Sequence, residues 1–262
     1  MTNADAASAA TGTAGPGTLE EPQVQAMFDR ISRIYDRLNT VMTAGLHHGW
    51  RRRAADLAQV GAGHRVLDVA TGTGDLAFEL DGRVAPGGEV LGVDFSEQML
   101  EVARRKAAAR ALPAPISFEW ANAMELDYPD DGFDAATVGF GVRNFSDLDR
   151  GLRELARVVR PGGRVVILEA TTPQRPPLSS FFGVWFDRVV PILGRVAGDS
   201  DAYTYLPNSV RRFPGPEELA ARMTRAGLTA VRYVITAGGI IALHVGTAGE
   251  GAADPEQGAV SA

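Results

Sequence analysis

Short apolar runs alternate with amphipathic stretches along most of the chain. Five runs have the length of buried strands, and they lie at residues 66–70, 89–94, 116–126, 133–140 and 164–170. Between the fourth and the fifth run, apolar residues recur at helical spacing and stop before Pro161-Gly162-Gly163. This alternation predicts an α/β fold with a mostly parallel sheet.

The last two apolar runs, TAVRYVIT and GIIALHVG, lie almost next to each other in the sequence. They are separated only by the short segment Ala237-Gly238-Gly239. A connection between two neighbouring parallel strands needs a dozen residues or more. We therefore expect these two strands to be antiparallel.

The stretch before the first strand predicts a helical cap. Its large side chains recur at helical spacing, at Phe28, Ile31, Tyr35, Leu38 and Met42. We expect helices over roughly Val24–Tyr35 and Gly49–Ala58, joined by a looser segment at Asn39–Gly45. The cap either only covers the sheet or acts as a lid over a small-ligand pocket, to which Tyr35, Asp36 and Asn39 would offer polar groups.

Composition narrows the classes of protein that fit this pattern. The chain is 45% hydrophobic and 22% charged, and residues 21–248 are predicted to form a single globular domain. Residues 1–20 and 249–262 are mostly small or polar, account for most of the net charge of −6, and are expected to be disordered tails. The sequence contains no cysteine and shows no secretory signal, transmembrane-length run or basic stripe. We expect a cytoplasmic protein that binds no nucleic acid.

The segment RVLDVATGTGD, residues 65–75, joins the first apolar run to a helix. Gly72 and Gly74 allow a sharp turn and a close approach to a ligand, and Asp75 begins the helix. The letters also match G-x-G-x-x-A, the fingerprint of dinucleotide-binding proteins. Asp68 favours S-adenosylmethionine over NAD, because an anion inside the strand suits a sulfonium and an ammonium better than a pyrophosphate. A plain turn or cap carboxylate is the structural alternative for Asp68.

Two further positions suggest contacts with a nucleoside. Asp94 ends the second strand 20 residues after Gly74, which is the usual spacing of a carboxylate that holds ribose hydroxyls. Asn122 and Ala123 follow the third strand, where they would contact an adenine edge or belong to an ordinary loop.

Arg143 and Asn144 follow the fourth strand, at the sheet edge where ligands of open α/β sheets bind. They are candidates for substrate contacts, and a surface arginine paired with an acid is the alternative. Further on, residues 176–198 carry an amphipathic aromatic face. This face predicts either a core or dimer helix, or a cover over an apolar substrate or a membrane surface.

The chain resembles the S-adenosylmethionine-dependent C-methyltransferases of ubiquinone and menaquinone biosynthesis. The resemblance extends over roughly Val24 to Gly246. It rests on the segments FDRISRIYDRLN, VLDVATGTGDLA, GVDFSEQML, VGFGVRNFSDL and RPGGRVVILEATTP. The segments YDRLN and GFGVRN are the most specific of these, since many methyltransferases share the glycine loop.

The resemblance implies a Rossmann-like methyltransferase fold, with a seven-stranded sheet whose last strand is antiparallel. It also implies cofactor contacts at Thr73, Asp94, Asn122 and Ala123, which add to the loop glycines and Asp68 singled out above. The implied substrate is a prenylated quinol, above all demethylmenaquinol, methylated on a ring carbon. This chemistry needs no metal, and Arg143 and Asn144 would stabilise and orient the quinolate.

The implied substrate also suggests binding partners, and the reaction raises the question of which residue is the general base. A prenylated substrate allows contact with the inner face of the cell membrane, and a homodimer is a further expectation. Asp36, His47, His48 and His244 are alternatives for the general base, between which the sequence does not choose. Three functions compete with quinol methylation: methylation of another small hydrophobic acceptor, NAD-dependent oxidoreduction, and cofactor binding without catalysis.

Overall fold

The computed structural model describes residues 21–32, 35–43, 45–173 and 200–249. The predicted tail at 1–20, nearly all of the tail at 249–262, and the aromatic stretch at 176–198 lie outside the described residues. The single domain predicted for residues 21–248 therefore stays a prediction.

Seven strands form one sheet in the described part of the chain. They are β1 (Arg65–Val69), β2 (Glu89–Asp94), β3 (Ile116–Trp120), β4 (Phe133–Gly139), β5 (Val159–Ala170), β6 (Leu228–Thr236) and β7 (Ile241–Ala248). Their order across the sheet is β3-β2-β1-β4-β5-β7-β6. Strands β1 to β5 pair in parallel, whereas β7 is antiparallel to both β5 and β6. The predicted fold class is confirmed.

Eight α-helices accompany these strands in the described ranges. They are α1 (Glu21–Ile31), α2 (Tyr35–Thr43), α3 (Leu46–Ala58), α4 (Ala77–Val84), α5 (Glu97–Ala108), α6 (Leu148–Val158), α7 (Ser200–Arg212) and α8 (Pro216–Arg225). Of these described helices, none is both long enough and apolar enough to cross a lipid bilayer.

The cap differs from the prediction in where its helices begin and end. The segment expected to be loose, Asn39–Gly45, is helical as far as Thr43, and the preceding helix ends at Ile31 rather than Tyr35. Threonine is a poor helix former because its side chain is stiff and competes for backbone hydrogen bonds. Here the hydroxyls of Thr40 and Thr43 bond to carbonyls four residues earlier, at 2.8 and 2.7 Å, within the helix itself.

The sheet is covered on both faces. One hydrophobic cluster lies between the sheet and α3, α4 and α5, and the other lies between the sheet and α6 and α8. Successive strand residues point to opposite faces, so Val66 belongs to the first cluster and Leu67 to the second. This two-sided burial explains why the central strands read as continuous apolar runs.

The third strand is shorter than predicted. It ends at Trp120, and residues after it form a loop closed by an isolated bridge between Asn122 and Glu125. The backbone N–H of Met124 donates to Asn122 Oδ1 at 3.0 Å, so the amide side chain supports a turn rather than a strand. This loop lies at the carboxyl edge of the sheet, beside the loops that follow β1 and β2.

Gly74 is the loop glycine whose replacement should destabilise the fold, because it combines a positive φ with a crowded Cβ position. It has a φ of +83°, and an added Cβ would lie 2.9 Å from Phe118 Cζ and 3.0 Å from Phe78 Cε2. Gly162 has nearly the same φ, +81°, but its Cβ would meet nothing within 4 Å. We expect Gly162→Ala to cost about 1 kcal/mol of backbone strain and Gly74→Ala about 2–4 kcal/mol, since overpacking adds to the strain. Urea unfolding measures both, and equal costs would contradict this account.

Candidate active site

A pocket opens at the carboxyl edge of the sheet, where the loops after β1, β2, β3 and β4 converge. This is the point at which the strand order reverses, and ligands bind there in open α/β sheets. The pocket encloses about 880 Å³ of empty space including its open mouth. Most of the sequence-predicted site residues line it, namely Asp68, Gly72, Thr73, Asp94, Asn122, Ala123 and Asn144. Gly74 and Arg143 are not among the residues that line it.

The two glycines of the loop have different roles. Gly72 lines the pocket with a φ of +57°, and a Cβ added there would project into open space. Its backbone N–H donates to Asp94 Oδ2 at 2.8 Å, which ties the loop to the end of β2. Gly74 instead gives room to Phe78 and Phe118 beneath the loop. Only Gly72 therefore offers a ligand a close approach to the backbone.

Asp94 is held rigidly at the end of β2. Its carboxylate accepts hydrogen bonds from the backbone N–H groups of Gly72 and Ser96, at 2.8 and 2.9 Å. Burial raises the pKa of Asp94 to about 6, although these hydrogen bonds oppose the shift, and nearby Asp29 adds to it. Each carboxylate oxygen has a second lone pair, so both can still accept from a ligand.

Asp68 forms part of the pocket wall and has no solvent-exposed surface. The hydroxyls of Thr71 and Thr137 donate to its two oxygens, each at 2.6 Å. Burial raises the pKa of Asp68 to about 6, and the hydroxyl bonds reduce this shift without cancelling it. The carboxylate is thus fixed in place but incompletely compensated.

The pocket wall carries more acidic than basic groups. Asp68, Asp75 and Asp94 line it, and Arg51 is the only basic residue among the described lining residues. A ligand with more positive than negative charge would compensate this imbalance, because opposite charges interact strongly where water is excluded.

The cap contributes directly to the pocket. Phe28 and Tyr35 line it, and the ring of Phe28 lies edge-on to those of Tyr35 and Phe95 at 6.2 and 6.3 Å. Gln25 Nε2 donates to the carbonyl of Phe95, and the hydroxyl of Ser96 donates to Asp29 Oδ1. Helix α1 therefore docks on the residues that follow β2, and Tyr35 at the start of α2 packs against Phe28 of α1.

A polar cluster fastens α2 to the glycine loop. The hydroxyl of Thr73 donates to Asp36 Oδ1 at 2.5 Å, and Lys106 Nζ lies 2.9 Å from Asp36 Oδ2. The same ammonium pairs with Asp75, which precedes α4. We call these four side chains the Asp36–Lys106 cluster. Asp75 was predicted to begin the helix, but it lies in the turn before it and faces cations from α3 and α5.

The loop after β4 carries two predicted site residues, Asn144 and Arg143, of which only Asn144 lines the pocket. Asn144 lines the pocket, and the hydroxyl of Tyr205 donates to its Oδ1 at 3.0 Å. Arg143 is buried behind the pocket, where its Nη1 lies 2.7 Å from Glu169 Oε1 and also donates to the carbonyl of Phe140. Among the described residues, Arg143 Nε has no hydrogen-bond partner. The surface ion pair considered as an alternative for Arg143 is in fact a buried one.

The side chains considered as general bases do not line the described pocket. They are Asp36, His47, His48 and His244. Asp36 belongs to the Asp36–Lys106 cluster, and His244 Nε2 lies 2.8 Å from the carbonyl of Pro216, away from the loop edge. His47 is buried, and burial together with Arg51 lowers its pKa to about 4. The structure therefore does not bring a predicted base into the pocket.

A family model matches most of the chain. The model describes the ubiE/COQ5 methyltransferase family and matches residues 17–248. The chain belongs to the ubiE/COQ5 methyltransferase family. The resemblance seen in the sequence is thereby confirmed, and the chain is a methyltransferase.

Two similar proteins illustrate the family. A demethylmenaquinone methyltransferase from Thermus thermophilus is 49% identical over 221 residues, which cover 84% of this chain and 99% of that protein. The ubiquinone/menaquinone biosynthesis C-methyltransferase UbiE from Hahella chejuensis is 40% identical over 232 residues, with 88% and 93% coverage. One of these relatives is thus named for menaquinone alone and the other for both quinones.

Solved structures share the architecture at low identity. A structure described as a SAM-dependent methyltransferase, possible histamine N-methyltransferase, from Thermotoga maritima has a TM-score of 0.61 at 20% identity, covering 85% of this chain and 99% of that one. The [4+2]-cyclase SpnF has a TM-score of 0.68 at 19% identity, with 89% and 98% coverage. At this identity the similarity shows the fold alone.

Sequence reasoning missed several pocket residues. Phe28, Phe95 and Arg51 line the pocket, but none was predicted as a site residue. Phe28 reads as one more apolar position of an amphipathic helix, and Arg51 as one of three consecutive arginines. A weak signal for Arg51 was its place on the buried side of α3, next to two alanines of the core at Ala54 and Ala55.

The raised pKa values of Asp68 and Asp94 predict how cofactor affinity depends on pH. A cationic ligand favours ionised carboxylates, which at pH 5 become largely protonated in the free protein. We expect S-adenosylmethionine to bind more weakly at pH 5 than at pH 7, by about 10-fold for each carboxylate that must ionise.

Calorimetric titration at both pH values measures this dependence, with circular dichroism as the check that the protein stays folded. In Asp94→Asn the pH dependence should shrink, since one titrating group is gone. An affinity that does not change between pH 5 and pH 7 in the unmutated protein would contradict the prediction.

Proposed function

We propose that this chain methylates a ring carbon of a prenylated quinol with S-adenosylmethionine, and that the substrate is demethylmenaquinol. The observation that carries the proposal is the acid-rich pocket at the strand-order reversal of a chain in this family. The name of the Thermus thermophilus relative, 49% identical, supports the menaquinol branch.

The pocket fits this cofactor by its chemistry. S-adenosylmethionine carries a sulfonium, an ammonium and one carboxylate, and the described wall offers three carboxylates and one guanidinium. The open space beside Gly72 leaves room for the ligand against the loop backbone. When bound, the cofactor supplies a methyl group on cationic sulfur, and transfer to a ring carbon releases S-adenosylhomocysteine and the ring proton.

Individual residues would hold separate parts of the cofactor. Asp94 would accept hydrogen bonds from the two ribose hydroxyls with its remaining lone pairs, because its position is already fixed by Gly72 and Ser96. Asn122 and Ala123 would contact the adenine. Asp68 would stabilise the cationic end of the ligand through its charge, because the residue has no exposed surface and its hydroxyl partners hold it in the wall.

Thr73 and Gly74 take more limited parts in this arrangement. Thr73 lines the pocket, but its hydroxyl proton is committed to Asp36, so it would contact the cofactor only as an acceptor or after the Asp36–Lys106 cluster opens. Gly74 would act indirectly by letting the loop pack against Phe118.

The acceptor end of the pocket would orient the quinol. Phe140 and Phe145 line this end and offer apolar surfaces to an aromatic ring. Asn144 is oriented by Tyr205, which bonds its oxygen and leaves the amide N–H groups to donate to a quinol oxygen. A quinol hydroxyl resembles a phenol with a pKa of about 10, so its ionisation at pH 7 costs about 4 kcal/mol.

Arg143 would help to lower this cost without touching the ring. Its guanidinium is fixed by Glu169 and by the carbonyl of Phe140, the residue whose ring lines the pocket. It would therefore hold the loop that carries Asn144 and stabilise the quinolate through its field. The ion pair with Glu169 limits that field, which is a weaker role than the direct contact expected from the sequence.

The substrate's prenyl chain sets the proposed location. We propose a cytoplasmic protein that meets the inner face of the membrane, where a prenylated quinol resides. A homodimer also stays a proposal.

The activity is tested with labelled cofactor. Reduced demethylmenaquinone is incubated with the protein and with S-adenosylmethionine carrying a deuterated methyl group. We expect the label in the menaquinone product by mass spectrometry. A parallel incubation with the precursor of the ubiquinol branch decides between the two quinones. Absence of label in both products, from folded protein that binds the cofactor, would overturn the proposal.

Replacing Arg143 should separate folding from turnover. Arg143→Ala leaves Glu169 buried without its partner, so we expect a loss of about 3–5 kcal/mol of stability. The double variant Arg143→Met with Glu169→Gln removes both charges and should recover most of that stability. If Arg143 also acts on the quinolate, the double variant stays slow while its cofactor affinity remains near normal. Recovery of turnover in the double variant would show that Arg143 is only structural.

A further inference from the structure

The described pocket wall has a single place for an anionic group. Three of its ionisable lining residues are carboxylates, and Arg51 is the basic one. S-adenosylmethionine brings a carboxylate of its own into this surrounding. A carboxylate buried beside other carboxylates without a cation would be strongly destabilised. The balance of charges therefore directs the carboxylate of the cofactor to one side chain.

We propose that Arg51 binds the carboxylate of the methionine part of S-adenosylmethionine. This inference rests on the proposed function, because it concerns the cofactor of that reaction.

Arg51 lies in the right part of the pocket for this role. It is 6% exposed and belongs to α3. Its side chain lies close to both loops at the strand-order reversal, the one after β1 and the one after β4. On one side its Nη1 is 3.5 Å from Asp75 Oδ2, next to the glycine loop. On the other side its guanidinium carbon lies 5.7 Å from the ring centre of Phe140, directly after β4. The guanidinium thus lies where the cofactor end of the pocket meets the acceptor end.

Part of the guanidinium remains for a ligand. The hydrogen bond to His47 and the ion pair with Asp75 both involve Nη1. A guanidinium has five N–H donors arranged as a planar fork. The Nε and Nη2 groups therefore supply the two parallel donors that a carboxylate binds best.

His47 fixes the orientation of Arg51. The hydroxyl of Thr40 donates to the carbonyl of Asp36, so its oxygen is left to accept from His47 Nε2–H at 3.2 Å. The other ring nitrogen, Nδ1, then carries a lone pair and accepts from Arg51 Nη1. The low pKa of His47, caused by burial and by Arg51, keeps the imidazole neutral for this task. Arg51 is thus positioned from within the cap before a ligand arrives.

Arg51 can pair with a ligand although it already lies near Asp75. Its carboxylate is shared with Lys106, which lies closer to it than Arg51 does. Although burial alone would raise it, the pKa of Asp75 lies below its usual value because both cations are near. With Lys106 as the main partner of Asp75, Arg51 can accept a second anion.

The role predicts how the pocket discriminates between ligands. Decarboxylated S-adenosylmethionine keeps the adenosine, the sulfonium and the ammonium, and lacks only the carboxylate. A pocket in which Arg51 holds that carboxylate should bind S-adenosylmethionine at least about 30-fold more tightly than the decarboxylated form, as for a desolvated bidentate pair. A pocket that contacts only the adenosine and the cationic centres should not bind S-adenosylmethionine more tightly than the decarboxylated form.

The experiment compares both ligands by calorimetric titration on three proteins. They are the unmutated chain, Arg51→Met and the matched control Arg53→Met, in which an exposed arginine of the same helix is replaced. We expect the preference for the carboxylated ligand in the unmutated chain and in Arg53→Met. In Arg51→Met the two affinities should come within about 3-fold, because only the carboxylated ligand loses its partner. Arg51→Lys should keep part of the preference, since a point charge replaces the fork.

The outcomes separate this inference from the proposed function. If the unmutated chain binds neither ligand, the proposed function fails and this inference fails with it. If it binds both with equal affinity, the cofactor assignment stands and the role of Arg51 is overturned. A preference that Arg51→Met retains would also overturn that role. The comparison on the unmutated chain decides the matter even if Arg51→Met does not fold.

Discussion

The site depends on two carboxylates buried at the ends of neighbouring strands. Asp68 and Asp94 lose their hydration on folding, and threonine hydroxyls and backbone N–H groups replace only part of it. Both groups consequently hold their protons more tightly than exposed aspartates do. The folded chain maintains this unfavourable arrangement in a pocket that a cationic ligand can complete. Strain of this kind, stored by a stable sheet, is typical of binding sites.

The cap and the glycine loop form one electrostatic unit rather than two separate elements. Asp36 contacts Thr73 directly and reaches Asp75 through Lys106, while Gln25 and the residues near it contact the end of β2. The same loops that would hold the cofactor therefore also hold the cap in place.

Local signals were enough to predict the fold and the general place of the site. Strand length, glycine positions and the spacing of Asp94 are short-range patterns, and the sheet and most of the pocket follow them. Short-range patterns could not show contacts between distant parts of the chain. Arg143 does not line the described pocket, because Glu169 on the neighbouring strand pairs with it in the core, and its predicted role in catalysis stays a prediction. The helix over Asn39–Thr43 was missed for a different reason, since the hydroxyls of Thr40 and Thr43 bond to carbonyls of their own helix despite the low helix propensity of threonine.

Lys106 is the only lysine in the sequence, and its ammonium lies between Asp36 and Asp75. An amine that donates to two carboxylates is a poor nucleophile, because these contacts limit the access of a reagent to it. A reagent that acylates amines therefore has one side chain to modify in this protein, and its rate of reaction reports how often the two carboxylates release it. Peptide mapping over time, which separates Lys106 from the α-amino group, would then follow how often the Asp36–Lys106 cluster opens.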